Sequence, residues 1–344
     1  MKKGAIILLA AALILVFFLG GCTQKTDRQS PVTATPSPQA AGAAVNLEDL
    51  RLAVGSAPGP VTYPLAQMAE LNNNIVLKPW QGAEQLTAMI SAKEVQLCST
   101  PLHNAVLSYN KGLDTQLLMV TVWGMLYVMS TESEVVSLQD LTGKEVVLSG
   151  KGSIHDLIFR HLLINNGINP DHDLTLSYLD MSEASSRLAT GKLKYAVLNE
   201  PQSSIAILNA QKAGVQLHRV LDLTQEWNKL PGQEKAGMPM AGIIVIGSSG
   251  ITSEEAAGFA RAYIDTAQWV NNNPAEIGII VEKHVPAMKA AAVSQSLKYA
   301  RLKPQYAADC QEEVEAFFKE LSRTADMRAF GGKIPDAKFY CQSN

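Results

Sequence analysis

Apolar and polar positions divide this chain into three stretches of different texture. From Ala5 to Leu19 every side chain is apolar. Residues 23–46, "TQKTDRQSPVTATPSPQAAGAAVN", carry almost no large apolar group. From Leu50 onward short β-branched runs alternate with stretches whose apolar residues recur at helical spacing. "LRLAVG", "NIVLKPW", "VQLCST", "QLLMVTVW", "KEVVLSG", "LTLSYLD", "KYAVLNE" and "GIIVIGS" read as strands. "EQLTAMISA", "SIHDLIFRHLLINNG" and "SSRLATGK" read as helices between them. After Thr252, followed by Glu254 and Glu255 in a first helical turn, the pattern is nearly all helix to about Arg328. Alternation of this kind predicts an α/β fold of mostly parallel sheets covered by helices.

Two segments echo one another. "TAMISAKEVQLCSTPLHNAVLSYNKG" runs helix, strand, then Thr100-Pro101 into a helix ending at glycine. "SRLATGKLKYAVLNEPQSSIAILNAQKAG" does the same around Glu200-Pro201. Proline suits the first helical position because its missing N–H leaves no bond unmade there. "LRLAVGSAPGPVTYPLAQMAELN" and "KEVVLSGKGSIHDLIFRHLLINNG" are a second such pair. Either the chain contains two similar lobes or these are the shared features of any two strand–helix units. Two lobes would each present helix starts at the carboxyl ends of their strands, where open α/β sheets bind ligands.

Composition narrows the class. The 344 residues include 29 basic and 32 acidic side chains, a net charge of −3 with no like-charge block, which speaks against a nucleic-acid partner. The apolar run behind Lys2 and Lys3 is shorter than the ~20 residues a membrane span needs and has signal-peptide proportions. Polar residues 23–46 cannot bury enough surface to order themselves and read as a tether. The remaining 298 residues suffice for two lobes. Cys98, Cys310 and Cys341 contain no CxxC; Cys310 and Cys341 are the expected pair if a bridge forms, and Cys98 reads as a buried strand residue. There is no GxSxG, HExxH, Walker loop or HxxxH spacing. Ser153 and His155 stand two apart at one helix start, so they would not face each other as a catalytic pair. No enzymatic activity, cofactor or metal is expected.

"LGGC", ending at Cys22, resembles the lipobox of bacterial lipoproteins. The resemblance implies that residues 1–21 are removed, that Cys22 takes a diacylglycerol on sulfur and becomes the N-terminus, and that 22–46 tether the body to the membrane. The other reading is a plain secretory signal with a chance cysteine. The body, from about Leu50 to Tyr340, resembles the solute-binding lipoproteins of ABC importers in the nitrate/sulfonate/taurine and thiamine-pyrimidine (NMT1/THI5-like) branch. The resemblance rests on "GAEQLTAMISAKEVQLCSTP", "NKG", "SLQDLTGKEVVLSGKGSIHDLI", "NNGINP", "AVLNEP" and "GGKIPDAKFY" in that order. It implies a two-lobe type II periplasmic-binding fold. Lobe 1 would comprise residues 47–130 and 241–344, lobe 2 residues 131–240, with hinge strands around "GMLYVMS" and "GMPMAGI". The expected protein is a monomer, lipid-anchored on the extracytoplasmic face of the cell membrane, that hands a small-molecule solute to an ABC permease and ATPase. A tethered sensor is the alternative. One relative of the fold is a pyrimidine synthase marked by clustered cysteines and a histidine, and this chain has no such cluster.

The same resemblance, with the residue chemistry, nominates ligand contacts. In "GSAPGPVTYP" these are Ser56, Gly59 and Thr62, where free N–H groups at a helix start suit an anion or carbonyl. Trp80 and Trp123 could stack on a planar ligand, and Gly124 beside Trp123 could absorb rotation on closure. Thr100 matches a hydrogen-bonding position of the family, with His103 one turn on. In lobe 2 the candidates are Ser153, His155, Asp180, Met181, Asn199 and Glu200, with Thr100 and Glu200 expected to face each other across the cleft. Trp80, Trp123 and Glu200 point to a planar, amine-bearing solute such as a pyrimidine. An organic sulfonate or similar anion is the alternative, with Lys78 and Lys151 the only cations nearby.

Overall fold

The computed structural model describes residues 45–234 and 237–342. The leader, Cys22 and all but the end of the tether lie outside the described residues. Among the described residues no helix is long and apolar enough to cross a membrane.

In chain order the strands are β1 (Leu52–Ser56), β2 (Ile75–Pro79), β3 (Leu97–Pro101), β4 (Thr115–Val122), β5 (Leu126–Ser130), β6 (Glu145–Ser149), β7 (Thr175–Leu179), β8 (Tyr195–Asn199), β9 (His218–Asp222), β10 (Ala241–Ile246) and β11 (Leu302–Tyr306). The first helices are α1 (Thr62–Leu71), α2 (Gly82–Ser91), α3 (Leu102–Asn110), α4 (Ile154–Asn165), α5 (Met181–Ala189) and α6 (Gln202–Lys212). They are followed by α7 (Leu223–Trp227), α8 (Ser253–Asn272), α9 (Pro274–His284), α10 (Ala290–Ser296) and α11 (Gln311–Leu321). The strands form two mixed sheets with helices against them, in the orders β11-β4-β10-β3-β1-β2 and β7-β6-β8-β5-β9. Every residue of β10, "AGIIVI", is buried, as a continuous apolar run covered on both faces requires. Thr252 opens α8 through a reciprocal cap with Glu255, the expected start.

The two sheets share one plan. Read from β2 or from β7, both begin with two parallel pairs, β2-β1-β3 and β7-β6-β8. An antiparallel strand follows, β10 beside β3 and β5 beside β8. A fifth strand then pairs antiparallel with it, β4 or β9. In both sheets the fourth strand is the one that enters directly from the other half. Leu126–Ser130, which the family resemblance groups with lobe 1 as a hinge strand, is therefore an inner strand of the smaller sheet.

The crossovers are Trp123–Met125 and Gly237–Met240. They lie side by side, with Met240 N donating to Val122 O (2.8 Å) and Met238 N to Trp123 O (3.2 Å). Gly124 sits at φ 143°, where a Cβ would collide with the Thr224 hydroxyl and the Arg301 guanidinium, so this position requires glycine.

Three expectations need correction. The stretch after Thr252 is interrupted by β11, an edge strand whose Pro304 costs no ladder bond at that position. β9, "HRVLD", is likewise an edge strand that the pattern did not predict. Finally, Cys310 and Cys341 form no disulfide. All three described cysteines are free, and the Cys310 thiol instead donates to the Tyr306 carbonyl oxygen at 3.2 Å. Burial pushes the Cys310 and Cys341 thiols up, to about 12 and about 11, and so suppresses the thiolate needed for exchange.

Candidate functional site

Where the carboxyl ends of β1, β3, β6 and β8 converge, the halves enclose a cavity of about 80 Å³. One wall is the β1–α1 turn, Ala57–Val61, with Pro101 and His103 at the start of α3. The facing wall is Ile154 and His155 at the start of α4, with Asn199 at the end of β8. Met125 and Met240, one from each crossover, line the cavity, with Ala241 next to Met240. The four turns are those of the two echoed pairs in the sequence. A second pocket of about 280 Å³, lined by Ser56, Trp80, Gln85 and Met288, belongs to the larger half alone. A larger groove of about 530 Å³ lies between α1 and α8, lined by Leu71, Arg261 and Trp269; it is remote from the strand ends.

Of the nominated residues, Gly59, His155 and Asn199 reach the interlobe cavity, together with His103. The others are placed elsewhere. Ser56 and Thr62 are buried in the β1–α1 turn, their hydroxyls 2.9 Å apart, with Thr62 Oγ1 also donating to the Ala57 carbonyl oxygen. Trp80 donates its indole N–H to Ser99 O at 3.2 Å and faces the second pocket. Trp123 is buried at the crossover. Ser153 caps α4, accepting from Asp156 N and donating to Ser149 O at 2.6 Å. Asp180 caps α5, and Met181, its first residue, packs against the smaller core. Thr100 is buried in β3, its hydroxyl making only a 3.3 Å donation to Pro101 O.

Glu200 differs most from expectation. Its buried carboxylate accepts from Arg219 Nε at 2.8 Å and Nη2 at 2.6 Å, and from Ser204 Oγ at 2.8 Å. Ser204 N also donates to it, tying it to α6. Burial holds the carboxyl above its usual range even against the Arg219 guanidinium. Thr100 and Glu200 therefore turn into their own halves, and the neighbours Pro101 and Asn199 are the residues that reach the cavity. A side chain flips direction with each residue of a strand, so a one-residue error moves it from cleft to core.

Both histidines are neutral in ordinary conditions. Burial pulls His103 down to about 3, assisted by repulsion from His155, and burial alone pulls His155 down to about 4. His103 Nδ1 is buried with no hydrogen-bond partner.

Beside the cavity the halves are held by a network that sequence inspection did not single out. Arg301 pairs with Asp222 at 2.6 and 3.1 Å. Tyr127 donates its hydroxyl to Tyr299 O at 2.7 Å, and the Arg219 guanidinium lies 3.7 Å from the Tyr299 ring centre. His161 Nδ1 of α4 meets Thr324 Oγ1, just after α11, at 2.7 Å, while Trp227 of α7 packs on Phe317 of α11 with ring centres 4.9 Å apart. The one available signal was "HRVLD", an arginine directly before Val220 and Leu221 that would have to be paired if the segment were a buried strand. Among the described residues no group of three or more histidine, cysteine, aspartate or glutamate side chains is arranged to hold a metal.

A sequence model of the NMT1-like family matches residues 75–241, a little under half of the chain. No curated protein matches the chain significantly by sequence. Among solved structures, an ABC transporter protein from Parabacteroides distasonis superposes with TM-score 0.71 at 21% identity, over 85% of this chain and 99% of that one. The periplasmic aliphatic sulphonate binding protein SsuA from Escherichia coli gives 0.62 at 16%, over 85% and 94%. The periplasmic nitrate-binding protein NrtA from Synechocystis PCC 6803 gives 0.59 at 12%, over 81% and 83%. At these identities the likeness establishes the fold, the type II periplasmic-binding arrangement of two mixed sheets.

Proposed function

We propose that this protein is the extracytoplasmic solute-binding component of an ABC importer, anchored through a lipid on Cys22 and delivering a small solute to a membrane permease. The observation that carries this reading is the cavity walled by strand ends of both halves, with paired crossovers beside it. Two bodies joined in this way can open and close around a solute by rotation at Gly124 and its neighbours. The lobes are residues 47–122 with 241–344 and residues 126–234, a refinement that follows β5 into the smaller sheet.

The solute is small and anionic rather than a stacked ring. A volume of about 80 Å³ is well below the roughly 300–1,000 Å³ of pockets that hold drug-sized ligands. Neither Trp80 nor Trp123 lines it, and no carboxylate does. The sulphonate- and nitrate-binding proteins of the same fold support this over a pyrimidine.

Calorimetric titration of the mature protein with small anions and with pyrimidines, followed by scattering on any complex, tests the reading. A bound solute should compact the protein without changing its oligomeric state. At 100 times its dissociation constant it should stabilise the fold by about 2.7 kcal/mol. A tight ligand that leaves the radius unchanged would remove the closure mechanism. Cys22→Ala should release the protein from the detergent phase into soluble form; an unmodified mature N-terminus elsewhere would remove the anchor.

A further inference from the structure

We infer that His103 and His155 form a proton-linked clamp: a small oxyanion enters between them with one proton, which His155 takes while His103 orients the anion. The inference rests on the solute-binding reading and adds the device that grips the ligand.

The geometry is specific. His103 stands on α3 of one half and His155 on α4 of the other, and both line the cavity. The two imidazoles can act on one ligand only when the halves are together. His103 Nδ1 is buried and unpartnered, and no protein hydrogen bond holds the His155 ring among the described residues. An imidazole carries one donor and one acceptor when neutral and two donors when charged, so a group left unbonded by the protein is available to a ligand. Each histidine is the second residue of its helix, where N–H groups lack partners within the helix and the dipole favours negative charge.

The ionisable surroundings are few. The charge acting on His103 is that of His155, and none acts on His155. The β1–α1 turn, both crossovers and Asn199 add no titrating side chain to the wall. Burial is the main cause that holds both rings neutral; His103 is also opposed by His155, which leaves His155 the ring without an opposing charge. An oxyanion in contact supplies the missing counter-charge, which favours the charged imidazole. Binding then draws one proton from solution, and affinity rises as pH falls.

Titration calorimetry on the mature protein with acetate, nitrate and methanesulfonate, at pH 5.5 and 7.5 in buffers of different ionisation enthalpy, tests the clamp. Binding of at least one anion should tighten ten- to hundredfold at pH 5.5 with uptake of about one proton. His155→Gln keeps a donor and an acceptor but cannot take the proton, so it should abolish both the uptake and the gain. His103→Gln should weaken binding at both pH values while the uptake persists. Affinity independent of pH, uptake unchanged in His155→Gln, or failure of all three anions to bind would overturn the clamp. So would zinc binding that requires both histidines without any effect of anions. A neutral solute that binds and compacts the protein with no proton uptake would also remove the clamp while leaving the solute-binding reading intact.

Discussion

The two halves have the same strand plan and spend the end of the same strand differently. In the larger half the residue before the proline is Thr100, next to last in β3 and uncharged, whose hydroxyl has only a long bond to Pro101. In the smaller half the residue before the proline is Glu200, just past the end of β8, a buried carboxylate held by Arg219 and Ser204. Arg219 in turn lies against Tyr299 of the larger half. The residue before the proline is thus a packing position in one half and the centre of an ionic network in the other, and that network reaches across to its partner. Equal topology constrains where strand ends lie; it does not constrain what the side chains there are used for. The cavity-facing residues one step away, Pro101 and Asn199, show the same division, with one half contributing shape and the other hydrogen bonds.

Removing Arg219 should break this asymmetry most severely. Arg219→Ala leaves the Glu200 carboxyl buried without its partner, which costs up to about 3–5 kcal/mol, less as the carboxyl, already raised by burial, takes up a proton. Denaturant unfolding should show that loss, and Arg219→Ala combined with Glu200→Gln should recover part of it. Equal stability of the single variant and the parent would mean the network is incidental.

Acidification should act next, through the cavity histidines. Their folded pKa values, about 3 and about 4, lie below the ~6.5 of an unfolded histidine. The unfolded chain therefore binds the proton first, and ligand-free stability falls as pH drops below about 6.5, by up to about 1.4 kcal/mol per pH unit for each histidine. Both rings keep some access to the cleft, which makes that figure an upper bound. Melting of the ligand-free protein from pH 7 to 4.5 measures it. His155→Gln should flatten the profile, and a profile as steep in His103→Gln/His155→Gln would assign the sensitivity elsewhere.

A smaller effect is expected where the halves meet in partial exposure. The Arg301–Asp222 pair is bidentate but reached by solvent, so Arg301→Met should cost about 0.5–1 kcal/mol. Because the pair joins the halves, the same substitution should expand the ligand-free protein in scattering; an unchanged radius would show that the pair does not hold the halves together. Smallest of all is Thr100→Val, which removes a weak donation and should leave melting within about 1 kcal/mol of the parent. A loss as large as that of Arg219→Ala would restore Thr100 to equal standing with Glu200.

Much of this architecture was legible beforehand. Strands such as "GIIVIGS" and "KEVVLSG" announce themselves because burial on both faces demands continuous apolar residues. Helix α8 is announced by Thr252 and Glu255, since capping is a bond between neighbours in sequence. The edge strands β9 and β11 were not legible. "HRVLD" and "LKPQY" are half polar, and what makes them strands is the open edge of β5 or β4 beside which they lie. The same limit applied at the site. The turns after β1, β3, β6 and β8 were recognisable from their Gly and Pro residues, whereas the inward or outward direction of each side chain was not.

The chain's own pattern determined the strand–helix alternation, the echoed turns and the absence of any like-charge block, because these depend on periodicity and on neighbours a few residues apart. Only the tertiary structure decided that Glu200 belongs to Arg219, that Trp80 lines a pocket other than the interlobe cavity, and that His103 and His155 line that cavity from opposite halves. Those facts join residues 19 to 52 positions apart or lying in opposite halves, and they depend on how two sheets pack. A one-residue step along a strand turns a side chain from the cleft to the core, and local pattern carries no record of which way that step falls.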